Sequence, residues 1–419
     1  MPQLRIYDRR ERRLVAAADA LLAPLALTRW FRRPPPEVPA RVLCLRIERI
    51  GDLLMTLPAL AALRKALPGA AIDLAVGSWN RDVAMAIPGI DRVETLDAAW
   101  LARPATSATD GRAGLGVFAL ARRTAAWRGR HYDLAINFEP DIRSNLALAA
   151  AGARRTAGFA SGGGGALLDV PLDYDPSSHT ADNALRLVEI AVGSRPSDRE
   201  PPAGDALPPE GERETSGGAA SGSRRNALLD IPGTARAEAA SLLQRFDGSL
   251  LIGMHVSGGR AIKQWPEARF RDVATALVRD RSAAIVLTGT PGERAQTAIV
   301  REALPAGRVL DLSGGAELLT VAAVLQRLDL FVTGDTGPMH LAHAVGTPVV
   351  AVFGPSDPAR YAPRGPRDRI VRIDLPCSPC NRIRLPPARC VGHTPDCLAG
   401  IETAAVLAAI DETLAGGRR

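Results

Sequence analysis

Two apolar runs, one in each half of the chain, end in a glycine turn and pass straight into a helical pattern. The first is Arg41-Val42-Leu43-Cys44-Leu45-Arg46, followed by Ile47-Glu48-Arg49-Ile50-Gly51-Asp52-Leu53-Leu54-Met55-Thr56-Leu57-Pro58. The second covers 328–332 and runs into Gly334-Asp335-Thr336-Gly337-Pro338-Met339-His340-Leu341-Ala342-His343. A strand that breaks into a helix this way offers free backbone N–H groups and the positive end of a helix dipole, a seat for an anionic ligand or a reacting group. Two such junctions predict two α/β units with a site in the cleft between them. Neither has the GxGxxG spacing of a dinucleotide fold or the GxxxxGK[ST] of a P-loop, so those two readings lose support.

The rest of the chain repeats the alternation. Strands are expected at 71–76, 92–96 and 132–137, with helices at 53–67, 80–86, 115–128, 142–151 and 180–192; Pro58 is an anomaly inside the first helix. In the second half, strands are expected at 250–255, 283–287, 309–310, 328–332 and 348–353, with an edge strand at 370–373. Helices fit 266–278, the stretch up to 304, 317–325, 336–345 and 401–414. Such alternation predicts mostly parallel sheets covered by helices. The segment 194–225 is rich in Pro, Gly, Ser and charge with almost no large apolar residue, and reads as a linker. The resulting plan is an N-terminal extension (1–40), a first Rossmann-like domain (41–193), a linker (194–230), a second Rossmann-like domain (231–400) and a C-terminal helix (401–419). Ligands belong at the carboxyl ends of the strands.

A chain of 419 residues exceeds one ordinary core. Its net charge of +7 suits acidic partners such as nucleotides, phosphorylated glycans or an anionic membrane face. With aromatics at 4% and no basic stripe interleaved with them, nucleic acid is not an expected partner. The N-terminus does not read as a signal peptide: Arg5, Arg9, Arg10, Arg12 and Arg13 precede a modest apolar stretch that Asp19 interrupts. No apolar run reaches 18 residues, so the expected location is cytoplasmic. Leu14, Ala18, Leu21, Leu22 and Leu25 share one side of a helix there, which either lies on an anionic membrane or docks on the protein body.

Four segments hold candidate chemistry. Asp52, at the first junction, is either a general base aimed into the cleft or an N-cap carboxylate that only closes the helix. The loop Ser257-Gly258-Gly259-Arg260-Ala261-Ile262-Lys263-Gln264-Trp265 carries two cations suited to a pyrophosphate leaving group. It also fits a solvated basic loop with Trp265 as packing, and His255 just before it is not assigned a catalytic role. At the second junction Gly337 keeps the approach open, Thr336 and nearby amides can donate to phosphate, and Asp335 can orient the loop. Thr288-Gly289 ends a strand on the same rim and suits the base or ribose of a nucleotide. His340 and His343 lie three apart on a helix face, a metal spacing without an evident third ligand, so core or phosphate-side roles fit better. Cys377, Cys380, Cys390 and Cys397 form C-x2-C-x9-C-x6-C, with His393 between: a structural zinc site, an iron–sulfur site, or a loop of reduced thiols. Cys44, inside the first strand, reads as a small buried hydrophobe.

From residue 42 to the C-terminal helix, the chain resembles the lipopolysaccharide heptosyltransferases, glycosyltransferase family 9. The run Arg46–Pro58, the Lys263-Gln264-Trp265-Pro266 run and the Gly334-Asp335-Thr336-Gly337-Pro338-Met339-His340 run carry the resemblance. It implies the two-domain glycosyltransferase-B (GT-B) fold, no catalytic metal, and an ADP-heptose donor. It also implies inverting transfer to a lipid-linked or core oligosaccharide acceptor at the inner membrane. By the same resemblance Asp52 matches the base, Lys263 the phosphate-contacting lysine, and Asp335 to His340 the donor-phosphate loop. The donor side then comprises Gly51, Ser257, Gly258, Arg260, Thr288, Gly289, Asp335, Thr336, Gly337, Pro338 and His340. A C-terminal helix that crosses back to the first domain is also implied. The basic extension and the long linker are additions to the family pattern, and they leave room for a different nucleotide sugar or surface glycan. A non-catalytic nucleotide- or glycan-binding protein is the reading from another class.

Overall fold

The computed structural model describes residues 4, 9–24, 34–101, 114–193 and 228–416. The expected linker, 194–225, lies outside the described residues. The first sheet contains β1 (Arg41–Arg46), β2 (Ala71–Val76), β3 (Arg92–Thr95), β4 (Leu134–Asn137), β5 (Arg155–Phe159) and β6 (Val170–Leu172). Its order is β3-β2-β1-β4-β5-β6, all parallel. The second contains β7 (Leu251–His255), β8 (Ala284–Thr288), β9 (Val309–Asp311), β10 (Leu330–Gly334), β11 (Val349–Val352) and β12 (Arg369–Val371). Its order is β12-β11-β10-β7-β8-β9, again all parallel. Counted from its own first strand, each sheet has the same doubly wound order. Both faces are covered by helices, which is why β10 is buried along its whole length and β1 everywhere but Arg41. The order reverses between β1 and β4 and between β7 and β10, and ligand crevices open at such points. The two junctions singled out in the sequence leave β1 and β10, one at each crevice.

The two junctions also touch. The helix Ile50–Ala66 follows β1, and the helix Gly337–Ala344 follows β10. A Cβ added to Gly51 would stand 2.8 Å from His340 Cδ2, and one added to Gly337 would stand 2.6 Å from Ile50 Cγ2. Only glycine permits this approach. The Ile50–Ala66 helix packs against Thr180–Ala191 within its own domain and against Gly337–Ala344 across the seam. That double duty explains its apolar circumference, with Pro58 on an exposed position. One apolar cluster runs through the seam, from Leu53 and Leu57 to Met339 and Leu341.

Further contacts pin the domains. The Leu228 amide donates to Ala344 O at 2.8 Å and the Asp230 amide to Ala86 O at 2.7 Å, while Leu229 and Ile231 are buried. The last residues of the expected linker are therefore a strap fastened to both domains. Arg364 pairs with Asp182 at 2.9 Å. His179 Nδ1 accepts from the Ala181 amide, so Nε2 carries the proton and donates to Ala362 O at 3.0 Å.

Several elements differ from the sequence expectation. Strands β5 and β6 escape the pattern because Gly158 and Pro171 break their apolar character. The alanine-rich helix Gly233–Leu243 has too weak a periodicity to stand out. The C-terminal helix Thr403–Ala415 does not cross back: it packs on the helix Glu267–Arg281 and on β10, β11 and β12, with Val406 and Ile410 buried in the second domain's core. The N-terminal helix Arg9–Leu22 docks by one side on the turn around Gly163 and Gly164, where Asp19 Oδ1 accepts the Gly164 amide at 2.5 Å. None of its residues is buried, and Leu14 and Leu21 are exposed.

Burial lowers His340 and His179, both at the seam, to about 4. The unfolded chain protonates its histidines near pH 6.5. Stability supplied by these two neutral rings is complete above that pH and lost as pH falls toward 4, on the order of 1–3 kcal/mol at each ring. Chemical denaturation at stepped pH should show this loss, and His340→Gln should flatten part of it; a slope that His340→Gln leaves untouched would remove His340 from the account.

Candidate functional site

At the first crevice, Arg46 closes β1 with its side chain 4% exposed. Its Nε donates to Asp52 O at 3.2 Å and its Nη1 to Phe138 O at 2.8 Å. Three carboxylates surround the guanidinium: Glu48 at 3.6 Å, Asp52 at 3.6 Å and Glu139 at 3.5 Å. Asp52 lies in the first turn of the Ile50–Ala66 helix, whose N-cap is Arg49, with no side-chain cap bond. The N-cap alternative for Asp52 therefore falls. Its side chain is 28% exposed, so it faces the crevice and solvent can reach it. Glu139 is buried behind it and accepts the Glu48 amide at 3.0 Å. Burial, then the Glu48 charge, pushes the Glu139 carboxyl well above its ordinary range. Burial, then Asp52, raises Glu48 as well. Burial works against the Arg46 charge, but Glu139, Asp52 and Glu48 outweigh it and hold the guanidinium firmly protonated.

At the second crevice, Lys263 ends a short 3-10 turn, Ala261–Lys263, and its Nζ lies 2.6 Å from Asp335 Oδ2. This pair ties the loop after β7 to the junction after β10. Arg260 and Gly259 are exposed beside it. Gly258 passes so close to Gln264 that an added Cβ would stand 2.9 Å from its Cα. Thr336 is the N-cap of the Gly337–Ala344 helix but makes no cap bond; its hydroxyl turns inward to Thr333 at 3.0 Å. The first-turn amides of that helix are left without a side-chain cap, apart from Pro338, which has none to offer. Ser257 bonds His255 Nε2 at 3.0 Å and also donates to Glu293. Thr288 bonds the other ring nitrogen, and Gly289 follows it at the rim. Burial lowers His255 below its ordinary value. Trp265 is packing: its Nε1 donates to Ile401 O at 3.1 Å and its ring meets Phe270 edge-on.

The structure thus gathers Lys263, Asp335 and Thr336 on one side and Asp52 on the other. Gly51 and His340 lie in the seam between them, with His340 serving as the ring that abuts Gly51. His343 pairs instead with Asp368 at 2.9 Å. Cys377, Cys380, Cys390 and Cys397 line one small cavity together with Ile262 and Arg389. Burial, then the neighbouring thiols, pushes Cys397 up to about 11. Among the described residues, no group of three or more His, Cys, Asp or Glu is spaced to hold a metal ion. Cys44 is fully buried and its thiol strongly raised by burial, as expected of a small hydrophobe.

Two acidic residues go unassigned by the sequence. Glu139 lies two residues beyond the end of β4, beside the end of β1 that Arg46 closes, and only the strand pairing brings them together. Glu293 had a usable signal: Thr290-Pro291-Gly292-Glu293 is a capping-box spacing, and the box forms. Its carboxyl, although half buried, is held low by bonds from Ser257 and Thr290.

A family model described as glycosyltransferase family 9 (heptosyltransferase) matches residues 120–387. That span holds Lys263 and Asp335 to His340, and begins after Asp52. Lipopolysaccharide heptosyltransferase 1 of Pseudomonas aeruginosa is 31% identical over 121 residues, 28% of this chain and 32% of that protein. Lipooligosaccharide heptosyltransferase 2 of Haemophilus influenzae is 28% identical over 114 residues, 26% of this chain and 33% of that protein. The chain therefore spans about a third of the length of the curated relatives it matches. Among solved structures, the E. coli ADP-heptose lipopolysaccharide heptosyltransferase II superposes with a TM-score of 0.67 at 18% identity, covering 90% of this chain and 100% of that one. A family 9 glycosyltransferase from Veillonella parvula gives 0.68 at 21% identity, covering 91% and 99%. Both carry the same two-domain GT-B fold.

Proposed function

On the footing that the chain belongs to glycosyltransferase family 9, we propose that it is an inverting transferase that moves a heptose from an ADP-heptose donor onto a lipid-linked or core oligosaccharide. The observation that carries the reading is the split of charge across the seam: an accessible carboxylate, Asp52, on one side, and Lys263, Arg260 and uncapped helix amides on the other. An acceptor hydroxyl gives its proton to Asp52 as its oxygen attacks the anomeric carbon. The bond to the diphosphate breaks on the opposite face, and the departing ADP keeps the electron pair. Lys263, Arg260 and the amides of Gly337 and Met339 offset the charge that grows on the leaving diphosphate. Lys263 is engaged with Asp335, so diphosphate binding exchanges one anion for another. Ser257, Gly258, Thr288 and Gly289 form the rim where the nucleoside would lie. Asp52→Asn should lower turnover by about 1000-fold or more while ADP binding, measured by calorimetry, stays within a few-fold. Wild-type-like turnover in that variant would rule Asp52 out, and a clear preference for UDP over ADP in the binding assay would rule out the ADP-heptose donor.

The acceptor side is proposed to work at an anionic membrane. The helix Arg9–Leu22 is fastened by Asp19, with Leu14 and Leu21 exposed and Arg9, Arg10, Arg12 and Arg13 exposed on the same short element. Apolar side chains flanked by arginines suit a surface-lying helix. No described helix is long and apolar enough to cross a membrane. The full chain should co-float with vesicles containing phosphatidylglycerol and not with neutral ones; Leu14→Ser with Leu21→Ser should abolish flotation, and flotation unchanged by both substitutions would defeat the idea.

The four cysteines are proposed to take structural zinc. The chemistry of four thiols around one cavity supports it; their spacing in the structure does not meet ligand distances, so an ion would have to draw them together. Elemental analysis of the purified chain should find about one zinc per molecule. Metal-free protein with four titratable thiols and unaltered stability under chelator would end this reading.

A further inference from the structure

A buried guanidinium with three carboxylates is an expensive arrangement, and its geometry has a direction. Arg46 reaches the helix turn that carries Asp52 through two groups at once, the main-chain oxygen at 3.2 Å and the carboxylate at 3.6 Å. From the other side it holds Phe138 O at 2.8 Å and Glu139 at 3.5 Å, both on the loop after β4. It therefore spans the point where the strand order of the first sheet reverses, and it fixes the Asp52 turn to the neighbouring strand. Glu139 is 3% exposed and cannot leave, because Glu48 donates its amide to it and Asn137, Ser144 and Asn145 brace the same loop.

We propose that Arg46 is a positioning residue for transfer: it aims the Asp52 carboxylate into the crevice, with Glu139 as its rear anchor. This rests on Asp52 being the base. Three nearby carboxyls cannot all stay charged against one cation. Burial raises Glu139 and Glu48. Glu139 is sealed, whereas Asp52 and Glu48 are 28% and 27% exposed, and of these two only Asp52 sits on the helix turn that Arg46 also holds by its main-chain oxygen. Other groups with electrostatic reach into the set are His340 and Tyr361 from the second domain toward Asp52, Tyr174 toward Arg46, and Arg384 toward Glu48. His340, lowered to about 4, is neutral at working pH and adds no competing charge.

Lysine in place of Arg46 keeps one charge but cannot make the fork of contacts to Asp52 O, Phe138 O and the carboxylates together. Glutamine removes the charge. The test measures kcat, donor KM and ADP affinity of the full chain, using ADP-heptose and a truncated core glycolipid, with Asp52→Asn in parallel. Arg46→Lys should lower kcat by about 30- to 100-fold, as expected for a misplaced catalytic group, with donor KM and ADP affinity within about 3-fold of wild type. Arg46→Gln, which loses the fork and the charge together, should lower kcat at least as far, again with ADP affinity within about 3-fold of wild type. Wild-type kcat in Arg46→Lys, or equal losses in kcat and ADP affinity, would overturn the positioning role. If Asp52→Asn is inactive while Arg46→Lys turns over normally, only this inference fails; if Asp52→Asn is fully active, the base assignment itself fails. Should Arg46→Gln not fold, the Arg46→Lys measurements still decide.

Discussion

Everything in the crevice depends on two helices meeting end to end at their N-termini. Gly51 and Gly337 remove the side chains that would hold them apart, and His340 and Ile50 fill the space that remains. Two helix N-termini each carry about half a positive charge, so bringing them together concentrates positive potential at one spot. The carboxylates nearest that spot, Asp52 and Asp335, sit where they relieve it. The same field favours any anion that enters the crevice. Apolar packing from Leu53 to Met339 supplies the adhesion that the dipoles oppose.

The two sides of this meeting are chemically unequal. On the first, one buried cation serves three carboxyl groups, so acidic groups outnumber the cation they share. On the second, Lys263 has one carboxylate, Arg260 is exposed, and the helix start has no side-chain cap. A reaction that removes a proton on one side and expels an anion on the other needs this division.

Legibility in the sequence followed the range of each interaction. The strand-to-helix junctions are local: Asp52 and the turn from Asp335 to His340 stand out because they lie beside glycines, and Lys263 because it shares its loop with a second cation, Arg260. Strands with uninterrupted apolar character, such as β11 and the Ala284-Ile285-Val286-Leu287 part of β8, are equally plain. Glu139 was invisible for a different reason. The parallel pairing of β1 with β4 sets Leu45 opposite Asn137, and that register carries Glu139 to Arg46, residues far apart in the chain. The contact between Gly51 and His340 is hidden in the same way: each glycine suggested a partner, but not that the partner was the other glycine's helix. The crossing of the final helix was implied by the resemblance alone; Val406 and Ile410 in the second core, and Trp265 bonded to Ile401, hold it on the second domain instead.

The strap at Leu228–Ile231 makes the crevice indifferent to what precedes it. Its amides are bonded to Ala344 on one domain and Ala86 on the other, so the second domain takes its position from the strap and not from the chain between 193 and 228. Lengthening a connection whose ends are already anchored adds closure entropy only as the logarithm of its length. A change of length between 193 and 228 therefore leaves the separation of Asp52 and Lys263 to be set by the strap and the seam.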